Sequence, residues 1–395
     1  MSAPQAPYDA RYARAMQPMT VRGVTFKNRV VLASMGLDMA EEDGRMSTAL
    51  VDFYRGIMDG GAGGIILSNA AVSPDTALLP RALKLFNDAQ EQALAPLLRE
   101  GAARDVVIGV QLQHYGGQGM TMCTPTNVLL TPSGIANTSL KTLDPDFQFR
   151  EMTRADIQTV IGQFSAAARR ARQAGARFVQ LQGANGYLLS SFLSKATNQR
   201  TDGYGGTPLK RARFVIEVVD AVRAALGDDV VLGLRLQIND LLGADGMLPE
   251  DIYPALPALE AAGVDIFEVS FCVADTFGAM STNTPEVRAM VAEQVKAFRA
   301  QTDLPVGYAG FIGSLAEGCR LIEEGIIDYI PMARALLADN DLIRKELSGR
   351  EADVHRCRWD GLCFKDKYNP DLDRVYCCVN PKYLRPARAD VAALS

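Results

Sequence analysis

Apolar positions along this chain fall into short β-branched runs, each followed by a longer stretch of helical period. The runs are RVVLAS from Arg29, GGIILSNA from Gly63, DVVIGVQLQ from Asp105, RFVQLQG from Arg177, VVLGLRLQ from Val230, VDIFEVSF from Val264, PVGYAG from Pro305 and DYIPMAR from Asp328. Between them stand helix-start signals: Asn87 with Gln90, Thr153 with Asp156, Ser314 with Glu317, and Thr284 before Pro285. Near-continuous apolar strands alternating with helices predict a parallel sheet covered on its outer face, and eight such units close an α/β (β/α)₈ TIM barrel. An open doubly wound sheet is the alternative, but no G-x-G-x-x-G follows the first strand. The segment PMTVRGVTFKNR alternates around Gly23 and predicts a hairpin plugging the bottom of the barrel. The pattern stops near Lys345, dividing the chain into a barrel over 1–345 and a Cys-rich C-terminal tail over 346–395 packed on it.

Composition narrows the function. With 395 residues, 48% hydrophobic, 22% charged and a net charge of −5, the chain reads as a soluble globular protein with a large core. It has no basic stripe for nucleic acid, no charged-then-apolar leader and no apolar run able to span a bilayer, so a cytoplasmic location is expected. Seven cysteines are too few for a disulfide framework in a chain of this length, yet Cys357, Cys363, Cys377 and Cys378 crowd into the tail.

In such barrels the active site lies at the carboxyl ends of the strands. Polar or small residues there are Ala33, Ser34, Met35 and Gly36 after the first run, Asn69 after the second and Gln111 in the third. Gln182, Asn185 and Tyr187 follow the fourth run, and Arg235 lies in the fifth. Any one of them reads as a satisfied buried group; together they mark one polar mouth.

The ordered stretch GANGYLLSSFLSKATNQRTDGYGG, followed by RARFVIEVVDAVR, with FKNRVVLASM, GVQLQHYGGQG and GLRL at their spacings, resembles the old yellow enzyme family of FMN-dependent ene-reductases. The likeness is greatest to bacterial members near 2,4-dienoyl-CoA reductase. The resemblance implies a noncovalent FMN reduced by NAD(P)H, then reoxidised by an electron-poor alkene or quinone. It implies Arg235 beside the flavin N1 and C2 carbonyl, Gln111 on the pyrimidine edge, and Ala33 to Gly36 and Asn69 lining the ring. Gly310, Ala333 and Arg334 would hold the phosphate, and Gln182 and Asn185 the substrate carbonyl oxygen. Tyr187 would supply the proton, Asp38 would touch substrate, and the glycines of the motif would let the chain turn closely over the flavin. A homo-oligomer is compatible with this reading, and Tyr204 is expected to be a structural loop residue.

The sequence also departs from its relatives. Gln182 stands where many have histidine, and Gly36 where Thr or Cys is common. In the tail, CRWDGLC and YCCVNP replace the family's iron–sulfur spacing C-x2-C-x3-C with a later Cys, and Asp360 occupies the place of the second cysteine. Three readings stay open: an iron–sulfur cluster on Cys357, Cys363 and Cys377 with Asp360 or Cys378 as fourth ligand; a zinc ion; or a packed tail without metal, which is preferred. The cluster reading would make the chain an iron–sulfur flavin reductase, or an electron-transfer subunit needing a partner. Against it, the sequence to Ser395 carries no second flavin domain to feed a cluster.

Overall fold

A computed structural model describes residues 8–120, 123–135, 148–281, 283–365 and 374–385. The expected hairpin is formed by β1 (Met19–Val21) and β2 (Val24–Phe26), paired antiparallel. Its two turn residues, Arg22 and Gly23, have φ of 46° and 72°, as a two-residue hairpin turn with matched twist requires. The alternation buries Met19, Val21, Val24 and Phe26 against Val31, Phe178, Val231 and Tyr329, closing the barrel bottom. Phe178 lies near the barrel axis there, and a Cβ on Gly109 or Gly233 would strike its ring.

Each of the eight apolar runs contains one barrel strand. These are β3 (Val30–Leu32), β4 (Gly64–Ala71), β5 (Val107–Gln113), β8 (Phe178–Gly183), β9 (Val231–Asn239), β10 (Ile266–Phe271), β11 (Val306–Tyr308) and β12 (Ile330–Met332). Neighbours pair in parallel in the order β11-β10-β9-β8-β5-β4-β3-β12. The ring closes where the Asp328 N–H donates to the Val306 carbonyl at 2.7 Å. The fold is the expected (β/α)₈ barrel. An addition not anticipated is the small parallel pair β6 (Val128–Thr131) and β7 (Gln148–Glu151), whose exposed QFRE strand carries little apolar signal.

The outer ring comprises α1 (Thr48–Asp59), α2 (Asp88–Ala103), α3 (Arg154–Gln173), α4 (Pro208–Leu226), α5 (Leu256–Ala261), α6 (Pro285–Arg299), α7 (Leu315–Glu323) and α8 (Leu342–Leu347). The start signals act as expected. Asn87 and Thr153 form reciprocal capping boxes with Gln90 and Asp156, and Thr284 and Ser314 accept from Val287 and Glu317 amides. Such caps are each worth about 1 kcal/mol. On α3 the buried set Ile157, Val160, Phe164, Ala167, Ala168 and Ala171 follows the helical period and faces the barrel. No helix among the described residues is long and apolar enough to cross a membrane.

Beyond α8 the described chain wraps back over the mouth. The Val375 N–H donates to the Leu37 carbonyl at 3.0 Å, Asn380 Nδ2 donates to the Leu337 carbonyl at 2.8 Å, and the Tyr383 ring stands 5.6 Å from Phe53. The sequence boundary at Lys345 therefore falls inside α8.

Candidate functional site

Polar residues recur at alternate positions on four adjacent strands: Gln111 and Gln113 on β5, Gln180 and Gln182 on β8, Arg235 and Gln237 on β9, Glu268 and Ser270 on β10. Alternation places each pair on one face, and burial identifies that face as the barrel interior, with Gln111, Gln180 and Glu268 1% exposed or less. The upper half of the barrel is thus polar while the lower half is apolar. The groups form a chain: Gln111 Nε2 donates to Gln180 Oε1 at 2.6 Å, and Gln180 Nε2 donates to Glu268 Oε2 at 3.3 Å. Glu268 Oε1 lies 3.3 Å from Arg235 Nε, and Arg235 Nη1 donates to the Ser34 carbonyl at 3.1 Å.

Above this floor a cavity opens. Ser34, Met35, Gly36, Asn69, Gln111, Gln182, Asn185, Tyr187, Arg235, Gly310, Ala333 and Arg334 all line it, so the structure brings nearly every sequence candidate to one place. Ala33 lies just below, its N–H spent on the Met332 carbonyl at 2.9 Å. Asp38 is the exception. With φ 53° it turns away, its carboxylate accepts from the Arg81 N–H at 2.8 Å, and it borders a separate, smaller hollow.

Tyr187 caps the N-terminus of a short helix, Leu188–Leu193, and its carbonyl accepts from the Ser191 N–H at 2.8 Å. Its ring stands edge-on to Tyr115 at 5.4 Å, and the Tyr115 hydroxyl accepts from Asn69 Nδ2 at 2.8 Å. Burial raises the Tyr187 phenol above its usual range, opposed by the Gln113 amide and the Arg235 guanidinium. Gln182 Oε1 accepts from the Ala184 N–H at 3.2 Å, which leaves its amide nitrogen as the donating end. Asn185 sits at φ 60°, its N–H donating to Gln237 Oε1 at 2.5 Å and its carbonyl accepting from Gln118 Nε2 at 2.6 Å. Its side-chain Nδ2 is drawn to Ser270 Oγ at 3.3 Å and the Phe271 carbonyl at 3.2 Å. Gly186, at φ 77°, completes this tight turn; a Cβ there would strike Gln118.

The later glycines of the motif do something else. Gly203 borders Arg213, and Gly205 and Gly206 border Arg200 and Arg211, none of them the cavity: Arg200 donates to the Pro132 and Met152 carbonyls at 2.8 and 2.6 Å, Arg211 to those of Leu193 and Gly206 at 2.7 and 2.6 Å. Tyr204 donates to Glu217 at 2.9 Å in the same knot. This half of the motif braces the helix that Tyr187 caps, which corrects the expectation that all its glycines lie over a ligand.

At the opposite end of the cavity the Arg334 guanidinium lies 4.7 Å from the Trp359 ring centre and 5.4 Å from that of Phe311. Arg334 Nη1 and the Tyr308 hydroxyl are buried without a hydrogen-bond partner among the described residues. Gly310 packs so closely on Tyr308 that a Cβ would overlap its hydroxyl. Two cations and unspent donors in a half-apolar mouth fit a planar polar ligand with an anionic group at the Arg334 end.

Sequence reasoning missed Gln118, Cys272, Tyr308 and Phe311 in the lining, and the tail residues Gly361, Cys363 and Val375. It also missed the buried pair Gln180 and Glu268, for which a polar residue two positions from another inside an apolar run was the available signal. Cys357, Asp360, Cys363, Cys377 and Cys378 border one small cavity beneath Arg334. Yet no group of three or more His, Cys, Asp or Glu among the described residues is arranged to hold a metal ion. Burial raises the Cys357 thiol and pushes Cys378 up to about 11.

Comparison with known proteins gives consistent matches. The model of the NADH:flavin oxidoreductase / NADH oxidase family matches residues 15–353. The chain is 30% identical over 366 residues to an NADH oxidase of Thermoanaerobacter brockii, covering 91% of this chain and 55% of that protein. It is 33% identical over 327 residues to an NADPH dehydrogenase of Geobacillus sp. (strain WCH70), covering 81% and 89% respectively. It thus spans about half of the first relative and most of the second. The fold is like that of a 2-naphthoyl-CoA reductase in complex with 2-naphthoyl-CoA, with TM-score 0.86, 24% identity and coverage of 94% of this chain and 57% of that one.

Proposed function

This chain belongs to the NADH:flavin oxidoreductase / NADH oxidase family, and from that premise we propose that it carries hydride from NAD(P)H through FMN to an activated C=C bond of enone type. The observation that carries the proposal is the meeting, in one cavity, of Arg235, Arg334, Gln182 and the phenol of Tyr187. The fit to FMN rests on two features: the unspent Nη1 of Arg334, suited to a phosphate, and the Arg235 guanidinium at the strand-built end, suited to the electron-rich edge of a flavin. Bound FMN would take up a hydride from the nicotinamide and release it to the substrate β-carbon.

The side chains do the rest. As hydride arrives, charge grows on the substrate carbonyl oxygen, and the Gln182 amide N–H donates to it. Asn185, its Nδ2 engaged by Ser270 and Phe271, joins only by exchanging those bonds. The raised pKa of Tyr187 keeps its proton at neutral pH, so the phenol delivers that proton to the α-carbon and recovers it from solvent. Quinones, which draw protons from water, are second acceptors of the same site.

Rapid mixing of the two half-reactions tests this reading. Tyr187→Phe should leave flavin reduction by NAD(P)H within a few-fold and slow enone reduction by about 10² to 10⁴, the range for a positioned general acid. Equal losses in both halves, or unimpaired enone turnover, would reject Tyr187 as the acid.

A further inference from the structure

Glu268 has no solvent exposure and lies inside the barrel below the cavity, outside its lining. A buried carboxylate is costly to desolvate unless it is paired, and a valine or leucine would fill the same strand position without that cost. Its two oxygens serve two different groups: one meets Arg235 at 3.3 Å, the other accepts from Gln180, which accepts in turn from Gln111. Both ends of this chain, Arg235 and Gln111, reach the cavity; its middle, Glu268 and Gln180, does not.

The carboxylate is the one member that can only accept, so it dictates the direction of the whole chain. The Gln180 amide must point its NH₂ at Glu268, its carbonyl then takes the Gln111 NH₂, and the Gln111 carbonyl is the end left for a ligand. Burial raises the Glu268 carboxyl, and the Arg235 guanidinium and the Gln180 amide oppose that rise only in part. Tyr329, the other titratable group nearby, keeps its proton and donates it to the Phe267 carbonyl at 3.0 Å.

We propose that Glu268 is a positioning residue that sets the redox potential of the bound flavin, orienting Gln111 through Gln180 and offsetting the charge of Arg235. Reduction adds negative charge at the ring edge that Arg235 would face. Arg235 alone would favour the reduced form strongly; the carboxylate behind it cancels part of that field, because charges a few ångströms apart in a poorly hydrated interior interact by kilocalories. The flavin is thereby kept a ready hydride donor. The inference rests on the FMN reading above.

The test compares purified holoenzymes of wild type, Glu268→Gln and Glu268→Asp by dye-equilibrated reductive titration and FMN binding. Glu268→Gln should favour reduced over oxidised FMN by at least tenfold, a rise of about 30 mV for a two-electron couple, while Glu268→Asp stays near wild type. A Gln variant that retains FMN at the wild-type potential overturns the proposal, as does an Asp variant shifted as far as the Gln variant, which would assign the effect to packing. Should Glu268→Gln not fold, Gln180→Leu, which keeps the charge and cuts the relay, should weaken oxidised FMN binding several-fold; unchanged binding overturns the orienting role. Wild-type protein that binds no FMN would instead reject the functional reading itself.

Discussion

The two ends of the cavity are built on different principles. The ring end is made of strand residues whose positions are fixed by the ladder: Gln111, Gln180, Arg235 and Glu268 interlock in a hydrogen-bonded and ion-paired chain. The Arg334 end is made of loops and tail: Arg334 rests on two aromatic faces, Phe311 from the loop after β11 and Trp359 from beyond α8, with a buried N–H unspent. One end is largely cross-linked by its own side chains, with the Arg235–Glu268 contact an ion pair and not a hydrogen bond, whereas at the other the Arg334 guanidinium keeps a buried N–H without a partner among the described residues. A pre-formed polar network would lend precision to a flavin's ring edge, and an unsatisfied guanidinium would lend affinity to its phosphate.

The largest expected effect breaks the strand-built end with protons. His114, directly after β5, is buried, its Nδ1 accepts from the Gly116 N–H at 3.1 Å, and burial pushes its pKa down from 6.5 to about 3. The unfolded chain therefore binds more protons in that window, so stability is present above pH 6.5 and falls as pH drops toward 3. The slope contributed is about 1.4 kcal/mol per pH unit. Equilibrium denaturation from pH 7 to 4 should show this slope in wild type and a flatter one in His114→Asn; identical slopes would remove His114 as the source. Next in size is the loop-built end. Arg334→Ala should weaken FMN binding by about 10- to 150-fold, from ~1.5–3 kcal/mol for hydrogen bonds to a charged group, with little change in flavin potential. Full flavin occupancy after dialysis would show that the phosphate is held elsewhere. The smallest effect sharpens the contrast: Trp359→Ala removes the ring beneath the guanidinium and should cost about 2- to 30-fold in FMN affinity, from ~0.5–2 kcal/mol of cation–π attraction. A loss as large as that of Arg334→Ala would mean that Trp359 itself contacts the ligand.

The same contrast governs what the sequence disclosed. The barrel and its hairpin were readable because β-branched runs and the Arg22–Gly23 turn are local signals, and Gln111, Gln182 and Arg235 were readable as lining positions because each is a polar residue in the C-terminal part of an apolar run or in its middle. Gln180 and Glu268, the ladder partners of Gln111 and Arg235, lie in the middle of apolar runs and face the barrel interior, where a polar residue reads as an ordinary satisfied interior group. Asp38 misled because chain position says nothing of the left-handed backbone that swings its carboxylate to Arg81. At the other end legibility falls away: Arg334 was found from its strand, but Trp359, Gly361 and Val375 reach the mouth only by the return of the tail, a long-range contact without local pattern. The cysteine spacing likewise indicated proximity, and the side chains do share one small cavity, but spacing does not report how thiols point.

The ladder between β3 and β12 joins Val30 to Ile330, the two extremes of the barrel in chain order. During synthesis the whole ring end can leave the ribosome while its closing partner is still untranslated, and the tail that walls the phosphate end comes later still. A cradle closed by β12 and the tail would therefore be complete only late in synthesis, its strand-built half emerging first and its loop-built half last.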